Sequence, residues 1–207
     1  MSVQGCIKVR TFVYYWSPVR NKLSRTRKIT TDDILDAAER VVVHLGAAGL
    51  SIDAVAQEAG VSKSRVVYDH GSKSALLEAL IDRRVKAELE RIDTAVAESA
   101  GTPHPELFGR IAVAEQIPDD RDKAVALAIS AAMSSEAKVQ QQMRDWTLMD
   151  LRAMAKGERP KAALMAYLAL TGFYCTELFG FHQWGAAERS EILAGIRAIY
   201  ASYSDES

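Results

Sequence analysis

An all-helical chain is predicted by three features of the sequence. Ala, Leu, Glu, Lys and Arg are plentiful, and these residues lose little on entering a helix. Only 5 prolines interrupt 207 residues, so the runs between breakers are long. Apolar residues recur at helical spacing, and no alternating β-branched segment is flanked by hairpin turns. The best candidate for a strand, Thr11 to Trp16 (TFVYYW), is isolated and has no partner.

Residues 1–28 read as an arm. Thr30 and Asp33 then make a [ST]-x-x-[DE] helix start, followed by Ile34, Leu35, Ala38, Val41, Val42 and Leu45 at helical spacing. Gly46 and Gly49 should stop that helix near residue 46. Ser51 can cap a short second helix carrying Ile52, Val55 and Ala56, which ends at the turn Ala59-Gly60-Val61. Ser62 caps a third short helix, with Val66 and Val67 expected to point inward, and Gly71 ends it. Ser72 caps a long fourth helix striped by Leu76, Leu77, Leu80, Ile81, Val85, Leu89, Ile92 and Val96, until Gly101-Thr102-Pro103 breaks it. Five more helices are expected: Pro105 to Gln116, Asp119 to Ser135, Glu136 to Lys156, Arg159 to Phe181 and Ala187 to Tyr203. The domain boundary should fall inside or just after the fourth helix, giving an arm (1–28), a small domain (29–80) and a larger one (81–207).

Composition narrows the function. With 48% apolar and 26% charged residues, the chain is an ordinary globular protein that needs no metal or cross-link to hold a core. Cys6 and Cys175 are far apart and His44, His70, His104 and His182 are scattered, so no metal-ligand spacing exists. No paired acid–base set, nucleophile elbow or phosphate-binding glycine loop is present. We therefore expect no enzyme activity, no metal and no cofactor. The longest near-apolar run, Ala162 to Cys175, is too short to span a bilayer, and the first residues lack a signal-peptide core. Cysteine usage points to a reducing, cytoplasmic compartment.

The net charge of −1 hides an asymmetry. Residues 1–80 hold eleven basic and eight acidic side chains, a net of +3, which leaves −4 for the remainder. A basic end on a mildly acidic body suggests a polyanion-binding module. A short helix, a glycine-containing turn and a second short helix is helix-turn-helix geometry. Its outward face would carry Ser62, Lys63, Ser64, Arg65, Tyr68 and Asp69, groups that reach phosphates and base edges. Ser72 and Lys73 open the next helix, whose terminal amides form an anion site. Ser51 sits at the start of the preceding helix. Arg25, Arg27 and Lys28 either extend the contact or only keep the arm soluble.

These residues carry a family resemblance. Ile34-Leu35-Asp36-Ala37-Ala38, Gly49-Leu50-Ser51-Ile52, the run Val55 to Lys63 (VAQEAGVSK) and the run Ser72 to Leu77 (SKSALL) resemble the DNA-binding domain of TetR-family regulators over about residues 24–80. The resemblance implies an all-α homodimer. An N-terminal three-helix reader would precede a helical ligand-binding domain that dimerises through its last two helices. It also implies double-stranded operator DNA and a small-molecule effector as partners, and it implies that the basic arm lies in the minor groove. Leu168 to Phe173, followed by Glu177-Leu178-Phe179-Gly180, is similar to the family's penultimate helix. The departures lie at the end of the third helix. Val67 replaces a tyrosine that commonly contacts phosphate, Asp69 brings an anion towards the DNA backbone, and Gly71 removes packing or turn stiffness.

An effector pocket is expected from Phe108, Met133, Met143, Trp146, Met149, Tyr167, Phe173, Tyr174 and Trp184, an aromatic and methionine-rich set suited to an apolar ligand. Glu177 is a lone acid on an apolar helix, able either to bind a cation or to pair across an interface. Ile192, Leu193, Ile196, Ile199 and Tyr200 are expected to form the dimer seam with the preceding helix. The functional expectation is a ligand-responsive repressor on a near-palindromic operator. The alternative is a module of the same fold that binds proteins and has weak or lost DNA binding.

Overall fold

The computed structural model describes residues 29–157 and 159–204. Among them are nine helices and no strand: α1 (Thr31–Gly49), α2 (Ile52–Ala59), α3 (Lys63–His70), α4 (Lys73–Glu98), α5 (Pro105–Ala114), α6 (Asp120–Ala132), α7 (Ala137–Met154), α8 (Pro160–Leu178) and α9 (Ala186–Ser202). The segment Thr11 to Trp16 and the arm residues Arg25, Arg27 and Lys28 lie outside the described residues.

Local chemistry sets the helix ends. Thr30 accepts from the Asp33 amide at 3.2 Å while Asp33 accepts from the Thr30 amide at 2.8 Å, a reciprocal cap. Gly46 breaks the helical path of α1 at φ +68°, and only one short turn follows it. Ser51, Ser62 and Ser72 each cap the helix that follows, accepting from Ala54, Arg65 and Ala75 at 3.1, 3.2 and 3.1 Å.

The N-terminal core is built on Ile34, Val42, Leu50, Val55, Val66, Leu76, Leu80 and Ile81, and it continues into Ala128, Ala132 and Val139 of α6 and α7. Two expected members are on the outside. Leu45 is 62% exposed because the helix bends away one residue later, and Val67 is 42% exposed. On a helix of eight residues, only the stripe through Val66 reaches the core.

A second core gathers Leu107, Ile111, Met154, Ala162, Ala163, Ala166, Leu170, Phe173, Leu193, Ile196 and Tyr200 from α5, α7, α8 and α9. This corrects the expected dimer seam. Leu193, Ile196 and Tyr200 are buried within the subunit, and Ile192 and Ile199 pack against the same cluster. The outer face of α9 instead presents Ala187, Ala194, Gly195, Ala198 and Ala201.

Buried ion pairs tie the layers together. Arg189 holds Glu177 at 2.6 Å and donates to the carbonyls of Ala114 and Glu115 at the end of α5. Arg110 holds Asp150 at 2.6 Å, and the Tyr167 hydroxyl donates to the other Asp150 oxygen at 2.9 Å. Glu39 of α1, almost fully buried, pairs with Arg83 of α4 at 2.7 Å and with Arg121 of α6 at 3.3 Å. Among the described residues, no helix is long and apolar enough to cross a membrane.

Candidate nucleic-acid interface and effector cavity

The left-handed conformation of Gly60 (φ +66°) turns α2 into α3. Asp53 and Lys63, one on each helix, meet across that turn at 2.9 Å. Burial of Val66 rotates the opposite side of α3 to solvent. Ser62, Lys63, Ser64 and Tyr68 are exposed there, Tyr68 at 85%, and Lys73 is exposed at the start of α4.

Several of these groups already have partners. The Ser62 hydroxyl caps α3 and lies 3.0 Å from the Ser64 hydroxyl. Ser51 is half-buried, and its hydroxyl is occupied as the cap of α2. Lys63 is engaged by Asp53. Arg65 and Asp69, one turn apart, pair at 2.9 Å. The Asp69 side chain is only 6% exposed, so its charge is spent on Arg65 and is not presented as a free anion. Gly71 ends α3 at φ +72°, a conformation that side-chain-bearing residues take only under strain. The expected loosening of the turn is therefore a matched fit of glycine to its backbone. Burial lowers the pKa of His70 below its ordinary value, and Asp69 partly restores it.

A cavity of about 470 Å³ lies among α4, α5, α6, α7 and α8. Met133, Met143, Trp146, Tyr167 and Tyr174 line it as expected. The other five expected residues do not. Phe108 packs edge-on against Tyr200, with ring centroids 5.5 Å apart. Phe173 is buried between Trp184 and the Arg189 guanidinium. Trp184 donates its indole N–H to Thr176 at 2.8 Å, and Met149 is 40% exposed on α7. Glu177 is neutralised by Arg189 and offers no free charge to a ligand.

The polar lining was missed by sequence reasoning: Arg84, Glu88, Arg110, Asp122 and Asp150. A signal for one of them exists. Glu88 lies beside the α4 stripe, three residues after Val85 and four before Ile92, on a face that should be apolar. Burial raises the Glu88 pKa above the usual carboxylate range, and Arg91 pulls it partly back. Burial also pushes the Tyr167 phenol up to about 12, reinforced by Asp150. Tyr174 rises to about 12 through burial and then through Glu88 and Asp122. Cys175, half-buried on the cavity wall, has its thiol pushed up by burial. Among the described residues, no group of His, Cys, Asp and Glu is placed to hold a metal ion.

Two family signatures match the chain. Residues 34–80 match "Bacterial regulatory proteins, tetR family", and residues 109–201 match "Tetracyclin repressor-like, C-terminal domain". No curated protein matches the sequence. Among solved structures, a TetR family transcriptional regulator from Pseudomonas syringae pv. tomato str. DC3000 is similar at 18% identity and a TM-score of 0.59, over 86% of this chain and 97% of that one. A candidate transcriptional regulator from Pseudomonas aeruginosa PAO1 is similar at 16% identity and a TM-score of 0.65, over 88% and 97% of the two chains. A candidate TetR-family regulator from Mesorhizobium loti MAFF303099 is similar at 18% identity and a TM-score of 0.65, over 83% and 95%. At these identities the likeness is one of fold.

Proposed function

Given that this chain belongs to the TetR family of transcriptional regulators, matched in both its reader and its C-terminal body, we propose that it is a dimeric repressor released from a near-palindromic operator by a small, largely apolar effector. The observation that carries this reading is the α3 face. Burial of Val66 leaves Ser62, Lys63, Ser64 and Tyr68 facing solvent on a short helix with Lys73 beside it. Two such helices related by a two-fold axis would enter successive major grooves. Arg25, Arg27 and Lys28 would follow the minor groove, and residues 29–80 would act as the reader on a ligand-binding body of residues 81–207.

The small-residue face of α9, with Leu168, Thr171 and Gly172 of α8, supports a four-helix seam, because small residues let helix axes approach closely. Ala198→Arg should leave the fold intact and halve the mass measured by sedimentation. An unchanged dimer would put the seam elsewhere. Coupling between cavity and reader would run through shared elements. Arg84 pairs with Asp122 at the cavity wall, and the adjacent Arg83 and Arg121 both hold Glu39 of α1. A differential affinity of a few kcal/mol for two arrangements of α4 and α6 is sufficient to release the DNA.

One observation favours the second reading, a protein-binding module with weak DNA affinity. Arg65, the one arginine of α3, is held by Asp69. A salt-titrated mobility-shift assay with the DNA upstream of the protein's own gene separates the two. The repressor reading expects steep loss of binding with salt, from counterion release. Absent or salt-insensitive binding would refute it.

A further inference from the structure

We propose that the cavity takes an organic cation, a hydrophobic amine or quaternary ammonium, whose charged head sits beside Glu88 and whose apolar body lies against Trp146. The proposal rests on the cavity as the effector site and adds the ligand's charge. Three carboxylates line the space, those of Glu88, Asp122 and Asp150, against two guanidiniums, those of Arg84 and Arg110.

The two guanidiniums are engaged. Arg110 is nearly buried and donates to Asp150, to the Glu106 carboxylate and to the Glu106 carbonyl. Arg84 is paired with Asp122. An anionic ligand would have to compete with a carboxylate for each. Glu88 differs. Its Oε2 accepts from Arg91 at 2.8 Å, while its Oε1 accepts no hydrogen bond from a described residue. Arg91 is not part of the wall. Glu88 therefore leaves one carboxylate oxygen for a donor or a cation arriving from the cavity.

The surroundings strengthen that corner. Asp122 acts on Glu88 as a like charge, while Arg91 and Arg84 act on it as opposite charges, so the accessible carboxylate oxygen on the wall, rather than an excess of negative charge, is what the corner offers a cation. Trp146, Tyr167, Tyr174 and Phe179 supply aromatic walls, and ring faces attract cations more strongly when water is excluded.

The test uses the protein without DNA and three probes of similar size: benzyltrimethylammonium, its neutral carbon isostere neopentylbenzene, and the anion 3-phenylpropanoate. Calorimetric titration should show the cation binding at least about tenfold tighter than either other probe. Glu88→Gln should remove that preference while the neutral probe binds as before, and its melting temperature shows that the variant is folded. Equal or tighter binding of the neutral or anionic probe, or no binding of the cation, overturns the proposal. Because no DNA is present, these outcomes are independent of operator binding. A repressor whose cavity prefers neutral ligands would defeat this inference alone, and a cation-binding protein that ignores its upstream DNA would defeat the repressor reading alone.

Discussion

Replacing Gly109 by alanine should destabilise the protein although alanine is the better helix former. Gly109 lies in α5 where it crosses α4. A Cβ built there would meet the Val96 amide nitrogen at 2.7 Å, the Val96 Cα at 2.8 Å and the Ala95 carbonyl carbon at 2.9 Å. All three are backbone atoms of a long helix, so no side chain can swing away. Restoring ordinary contact at 3.4 Å requires the helices to part by roughly 0.7 Å. That opens the small core of Ile92, Ala95 and Val113, beside the cavity. Overpacking of this kind costs about 1–3 kcal/mol or more, against a propensity gain of about 0.5–1 kcal/mol. A net loss of about 1 kcal/mol should lower Tm by roughly 2–4 °C for a chain of this length. Scanning calorimetry at fixed protein concentration measures it, since association would otherwise shift Tm. An unchanged or raised Tm would mean that α4 and α5 do not meet at Gly109, and the cavity geometry would be wrong with it.

Three further predictions follow from particular contacts. Asp69→Asn should free Arg65 and tighten operator binding by roughly 1 kcal/mol, with a steeper salt dependence, as read by fluorescence anisotropy; unchanged affinity would show that Arg65 stays off the DNA. Glu177→Gln should cost about 3 kcal/mol in urea unfolding because Arg189 is left buried with only carbonyl partners, and Glu177→Leu combined with Arg189→Met should cost less. Tyr167 and Tyr174 should ionise near pH 12 by ultraviolet titration. Their folded pKa values lie above the unfolded value of about 10, so the stability they contribute is present below pH 10 and is lost as pH rises towards 12. Tyr174→Phe should flatten that alkaline decline.

The sequence by itself determined where α1 to α4 begin, because capping is local. Thr30 with Asp33, and Ser51, Ser62 and Ser72, each bond within three residues, and Gly46, Gly60 and Gly71 take backbone conformations that other residues avoid. The reader was legible for the same reason, since its turn, its caps and its polar face lie in one short stretch. Apolar spacing, in contrast, says that a face is buried but not against what. Leu193, Ile196 and Tyr200 carry the pattern of an interface and are used inside the subunit. Phe108 and Phe173 have the chemistry of a pocket lining and pack into the core, while Glu88, Arg84 and Asp122 meet at the cavity from two helices. Asp69 looked like an intruding anion until Arg65 folded onto it. Tertiary structure decided these points, because the identity of a side chain's neighbours depends on how helices distant in sequence cross, and no local pattern encodes a crossing.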